Sequence, residues 1–194
     1  MALVFEAKEE IPAKMSRYEE LLEEFEAYAR SADGTKSLML HIAHLLHEGM
    51  ARYNWVGFYL MEVSASEVLV LGPYAGSFVP TLRIPLDKGL CGAAATSGKT
   101  VVVNNVKVDP RYLGSDIVKS NMVVPIFLNG QVVAELDVES YFLDTFTAPE
   151  QKFIESCAAL VGRCMEKEAL AAGKNAGASR QGQGLRAAAP NLAI

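Results

Sequence analysis

The sequence predicts an α+β domain, an antiparallel sheet with N- and C-terminal helices on one face and pocket-forming loops on the other. Three observations predict it. Amphipathic helical stretches open and close the chain. Short runs of alternating apolar residues fill the middle. Met122–Leu128 and Gln131–Glu139 flank Asn129-Gly130, a dipeptide that takes positive φ at both positions and so closes a two-residue hairpin.

Ser16–Arg30 is the first helix. Ser16 with Glu19 makes a capping box, and Tyr18, Leu21, Leu22, Phe25 and Tyr28 recur at helical spacing. Ser31–Thr35 breaks it, and Lys36–Met50 makes a second helix with Leu38, Ile42, Leu45 and Leu46 inward. His41, His44 and His47 lie opposite those leucines and are expected on a solvated face. They lack the carboxylate or cysteine partners of a recognisable metal motif, and no metal or cofactor is expected.

Tyr53–Val63 is a strand with Val56, Phe58 and Leu60 on one face and Trp55, Gly57, Tyr59 and Met61 on the other. Gly57 leaves room beside two large rings. Ser64–Glu67 turns the chain into a partner strand, Val68–Tyr74. Ala75–Leu82 is a loop and Arg83–Leu86 a short extended piece. Gly89 opens a short helix that Gly98 stops, and Lys99–Asn104 is another strand. Asn105–Lys119 is a polar loop long enough to be a lid. After the hairpin, a helix runs from Ala148 to about Leu170 with Phe153, Ile154, Cys157, Leu160, Val161 and Cys164 inward. The expected organisation is an N-terminal extension over 1–15, one domain over 16–170, and a flexible Ala/Gly-rich tail over 171–194.

The second hairpin arm has two unlike faces. Val132, Ala134, Leu136 and Val138 form an apolar one, and Val133, Glu135, Asp137 and Glu139 the other. An acidic strand face is either solvated or the floor of a pocket. Strand parity puts Trp55 and Tyr59 on the same uncovered side as Asp137 and Glu139, which favours the pocket.

With 194 residues, 51% hydrophobic and 21% charged, the chain has the composition of a globular protein with a sizeable core. A formal charge of −5 argues against nucleic acid as a partner, and no apolar run reaches the length of a membrane span. The acidic N-terminus is unlike a signal peptide, so a cytoplasmic location is expected. Three cysteines give no disulfide framework. Cys157 and Cys164 lie two helical turns apart, about 10 Å, beyond disulfide reach.

Four segments stand out: Asn54–Tyr59, Leu71–Tyr74, Arg83–Pro85 with Lys88–Gly92, and Val123–Pro125 leading to Leu136–Ser140. They resemble the GAF domain, a PAS-like sensor fold, and within it the enzymes that reduce free methionine-R-sulfoxide. The resemblance implies a cysteine nucleophile in the loop before the hairpin and a resolving cysteine after the Leu-Gly-Pro segment, regenerated by a thioredoxin-type reductant. Those positions fall near Gly114 and Pro80, and neither is cysteine. Cys91 matches a family cysteine that is not the usual nucleophile. Of three acids implied to bind the sulfoxide, Asp137 and Glu139 match and the third falls at Asn121. A plain two-residue hairpin would pair Asn121 with Val138 and aim it at the apolar side; a bulge near Pro125 would bring it round.

Three readings follow. The first is a small-molecule-binding GAF protein, a catalytically degenerate relative of the reductases, in which Trp55, Tyr59, Asn121, Asp137 and Glu139 bind a small amino acid or derivative, free methionine sulfoxide among them. The second is an active reductase using Cys91 and an external thiol. A helix N-terminus and Lys88 would favour the Cys91 thiolate, although tight packing of a small buried residue explains it too. The third is a ligand-free dimerisation module. A homodimer through the terminal helices is expected.

Overall fold

The computed structural model describes residues 16–62 and 67–183, with side chains described through 173. The expected N-terminal extension over 1–15, most of the turn expected at Ser64–Glu67 and the part of the expected tail over 184–194 lie outside the described residues.

Helices α1 (Arg17–Ser31) and α2 (Thr35–Gly49) precede the strands β1 (Trp55–Glu62), β2 (Val68–Gly76) and β3 (Arg83–Pro85). Helix α3 (Gly89–Ser97), β4 (Val101–Val103), β5 (Ser120–Leu128), β6 (Gln131–Ser140) and α4 (Ala148–Gln183) follow. Ser16 caps α1 through the reciprocal bonds expected of it with Glu19. Helix α4 continues past Leu170 to Gln183, into part of the stretch expected to be tail. Its alanines are strong helix formers, which carry a helix beyond the face that packs. No helix among the described residues is long and apolar enough to cross a membrane.

The strands form one antiparallel sheet in the order β3-β2-β1-β6-β5-β4, so β1 and β6 lie side by side at its centre. Their alternation divides the molecule into two cores. On one face, Val56, Phe58, Leu136 and Val138 pack against Leu21, Phe25, Ile42, Phe153 and Cys157 from α1, α2 and α4. On the other, Trp55, Tyr59, Leu69 and Val123 pack against α3. The terminal helices thus cover the apolar face, as the sequence predicts.

The histidines depart from a uniformly solvated face. His44 is exposed, but His41 stacks on Tyr28 with centroids 3.9 Å apart, and His47 Nδ1 bonds the Tyr53 carbonyl at 2.9 Å. Flanking segments fold back over the helix edge and use their rings.

Two local features position the site. The hairpin turn has φ of 52° at Asn129 and 77° at Gly130, as the dipeptide predicts. Beyond it the register slips: Phe127 pairs with Val132 but Ile126 pairs with Ala134, leaving Val133 as a bulge. The bulge falls one residue beyond Pro125. It pairs Asn121 with Glu139 instead of Val138, and turns Asn121 to the acidic face. It also moves Val132 off the helix-covered face, where plain alternation puts it, into contact with the α3 core.

Helix α3 approaches the sheet closely because it is built of small residues. A Cβ added at Gly92 would lie 2.5 Å from the Leu86 carbonyl oxygen, and backbone cannot step aside as a flexible side chain does. Gly92→Ala is therefore expected to cost about 1–3 kcal/mol, the usual penalty of overpacking. Urea unfolding of the variant measures it.

Candidate functional site

The uncovered side of β1 and β6 opens into a cavity of about 500 Å³. Asn121, Asp137 and Glu139 form its floor and Trp55, Tyr59 and Tyr112 its walls. Phe78, Val79 and Pro80 reach it from the β2–β3 loop, Leu113, Gly114 and Ser115 from the long loop before β5, and Gly89, Leu90 and Cys91 from the start of α3. All six residues singled out in the sequence, Trp55, Tyr59, Cys91, Asn121, Asp137 and Glu139, line this one cavity.

The parity that puts them there is set by β1 and β6, which pair Trp55 with Glu139 and Gly57 with Asp137. The indole of Trp55 stacks on Tyr74 and Phe78, with centroids 5.8 and 6.0 Å away. It lies over Gly57 and Gly76, where an added Cβ would collide with the ring. This is the room that Gly57 was expected to leave. Tyr59 donates its hydroxyl to the Thr81 carbonyl at 2.9 Å, which ties the β2–β3 loop to the wall.

The acids are buried. Asp137 is 5% exposed and Glu139 9%. Asp137 accepts from Asn121 Nδ2 at 2.5 Å on one oxygen and from Cys91 Sγ at 3.6 Å on the other. Glu139 Oε2 and the Trp55 indole N–H have no partner among the described residues. Burial pushes the Asp137 carboxyl up to about 7, against the pull of its two donors. Burial and then the charge of Asp137 push Glu139 up to about 9.

Cys91 sits in the opposite environment from the one its helix position suggests. It is 7% exposed. Burial and the neighbouring Asp137, Glu135 and Glu139 raise its thiol well above the ordinary range. Lys88 lines the mouth of the cavity and pairs with Asp87 at 3.6 Å. Three carboxyls and burial outweigh a helix terminus, whose influence is confined to one turn. Gly114 and Pro80, the positions where the resemblance implies thiols, both line the cavity, and Cys91 is its only cysteine among the described residues. Cys157 is buried on the far side of the sheet.

Glu135, which the sequence places on the acidic face with Asp137 and Glu139, is buried and is not among the residues that line the cavity. Sequence reasoning leaves out Tyr112 and Phe78. Tyr112 and Phe78 lie in loops, where no periodicity assigns a side chain to a face.

Comparison with known proteins gives a consistent answer. The GAF domain family matches residues 37–165. GAF domain-containing protein A of Dictyostelium discoideum is 31% identical over 143 residues, 73% of this chain and 88% of that protein. Free methionine-R-sulfoxide reductase of Escherichia coli is 29% identical over 140 residues, 72% of this chain and 82% of the enzyme. The X-ray structure of free methionine-R-sulfoxide reductase from Neisseria meningitidis in complex with its substrate is similar with a TM-score of 0.74. That likeness has 29% identity and covers 80% of this chain and 96% of the other.

Proposed function

The chain belongs to the GAF domain family and is homologous to free methionine-R-sulfoxide reductase, and from that premise we propose that it binds a small amino acid or a derivative of one. The ligand's ammonium sits against Asp137 and Glu139, and its apolar part against Trp55 and Tyr59. The observation that carries this reading is a pair of buried acids, one with an unpartnered oxygen, on the floor of an aromatic-walled cavity.

Two adjacent carboxyls buried without a counter-charge are costly. A cationic ligand supplies the missing charge, and in exchange the acids release their protons. The aromatic wall adds cation–π attraction, about 0.5–2 kcal/mol depending on desolvation. The indole N–H is a donor for a ligand oxygen. A cyclic nucleotide would bring its phosphate against the same acids.

A related solved structure holds a reductase with its substrate, which makes free methionine sulfoxide the first ligand to try. A reductase reading retains one specific support, that Cys91 lines the cavity beside Asp137. In it, the Cys91 sulfur takes the sulfoxide oxygen, leaving methionine and a sulfenic acid. Two equivalents of external thiol then restore the cysteine, giving a disulfide and water. The thiol's raised proton affinity opposes that step, because the thiolate is the nucleophile.

Binding is tested by titrating free L-methionine-R-sulfoxide, L-methionine and methylammonium while following Trp55, the sole tryptophan, by fluorescence. At least one is expected to bind. Asp137→Asn is expected to weaken it roughly tenfold to hundredfold, as loss of a hydrogen bond to a charged group does. No binding by any of the three contradicts the proposal. Single-turnover reduction by pre-reduced protein, beside Cys91→Ala, separates the readings: product stoichiometric with wild type and lost in the variant replaces the binder with an enzyme.

A further inference from the structure

Glu135 is fully buried, 0% exposed, and neither carboxyl oxygen accepts a hydrogen bond from a described residue. Nothing in the binding reading uses it. A neutral acid buried without partners costs about 1–3 kcal/mol by the measure of protein substitutions, and a charged one far more. Two other unpartnered buried atoms, the Trp55 indole N–H and Glu139 Oε2, belong to the cavity itself, and a conflict of this kind beside them marks a residue retained for the site.

Its surroundings are specific. Glu135 stands two residues before Asp137 on the same face of β6, between Tyr59 on β1 and Pro125 on β5. Its other titratable neighbour is Cys91 on α3, whose thiol lies beside it. Tyr59 directs its hydroxyl away, to the Thr81 carbonyl. Proline offers no N–H. The Cys91 thiol gives its single proton to Asp137 Oδ2, at 3.6 Å. What its sulfur has left for Glu135 is lone pairs, which accept and do not donate.

We infer that Glu135 is a positioning residue of this ligand site: a carboxylic acid that keeps its proton, holds the Cys91 thiol, and through that thiol orients the Asp137 carboxylate that receives the ligand's cation. The inference rests on the cation-binding reading of Asp137. The three groups share out their protons in one consistent way. Asp137 accepts from Asn121 on one oxygen and from Cys91 on the other, the pattern of a carboxylate. Glu135, to which the geometry aims no donor, remains the acid: burial first and then the charge of Asp137 push its carboxyl up, outweighing the opposite pull of the Cys91 thiol beside it. Cys91 is then a hydrogen-bond bridge between two carboxyl groups.

Carbon-13 carboxyl titration of the full chain without ligand tests this, comparing wild type, Glu135→Gln and Glu135→Leu. Glu135 is expected to stay protonated throughout the range in which Asp137 titrates. The glutamine variant keeps a neutral hydrogen-bonding group and leaves the Asp137 midpoint in place. The leucine variant removes the group that holds the thiol and moves that midpoint upward by about half a pH unit, roughly a threefold change in proton affinity. A downward move in either variant would mean that Glu135 carried a charge, and overturns the inference. No move in the leucine variant reduces Glu135 to packing and overturns it as well. Because no ligand is present, the titration is readable even if methylammonium and the amino acids fail to bind, so the two proposals fail separately.

Discussion

Raising the pH from about 5 to about 9 is expected to destabilise the folded chain by several kcal/mol, and Asp137→Asn with Glu139→Gln to remove much of that dependence. Unfolded aspartate and glutamate lose their protons at a pH of about 4. In the fold, Asp137 keeps its proton until about 7 and Glu139 until about 9. Between these limits the native state binds more protons than the unfolded chain, so stability falls as pH rises. The stabilising contribution is complete below the unfolded range and is lost as the pH passes through the folded values. Glu135 acts in the same direction. Each tenfold change in proton affinity is about 1.4 kcal/mol, which makes the loss a large part of an ordinary domain's stability of about 5–15 kcal/mol. Urea midpoints at three pH values, for wild type and the double variant, measure it. A bound cation reverses the trend, because it stabilises the ionised acids.

Trp55→Ala is expected to destabilise the chain by about 3–5 kcal/mol and to abolish ligand binding. The indole is 2% exposed, stacked on Tyr74 and Phe78, and seated over Gly57 and Gly76. Truncation leaves a void that neither glycine can fill, and it joins the existing cavity. Trp55→Phe keeps part of the packing but removes the indole N–H, so its loss of binding exceeds its loss of stability. Circular dichroism in urea follows both variants, since neither retains a tryptophan to report by fluorescence.

Most of the fold is legible in the sequence because its signals are local. Ser16 and Glu19 cap α1, Asn129-Gly130 turns the hairpin, and Gly98 ends α3 with φ of 62°. Parity along β1 and β6 alone brings Trp55, Tyr59, Asp137 and Glu139 to one face. The bulge at Val133 is a different case. Nothing in Phe127–Ala134 announces which residue will be left unpaired, yet the side to which Asn121 points depends on it. The environment of Cys91 is likewise beyond reach of the chain's order. A position at a helix start implies an activated thiol, whereas the fold surrounds that thiol with three carboxyls from a strand more than forty residues away. The histidines of α2 illustrate the same limit: helical spacing assigns His41 and His47 to an outer face, and Tyr28 and Tyr53 then cover them.

The central claim is that this cavity exchanges the protons of its acids for a ligand's positive charge. Calorimetric titration of free L-methionine-R-sulfoxide and of methylammonium near pH 7, in two buffers of different ionisation enthalpy, counts the protons released for each ligand bound. The account predicts one-to-one binding of at least one of them, with about one proton or more released, and no release from the Asp137→Asn, Glu139→Gln double variant. Binding with no change in protonation, or no binding by either compound, would contradict it.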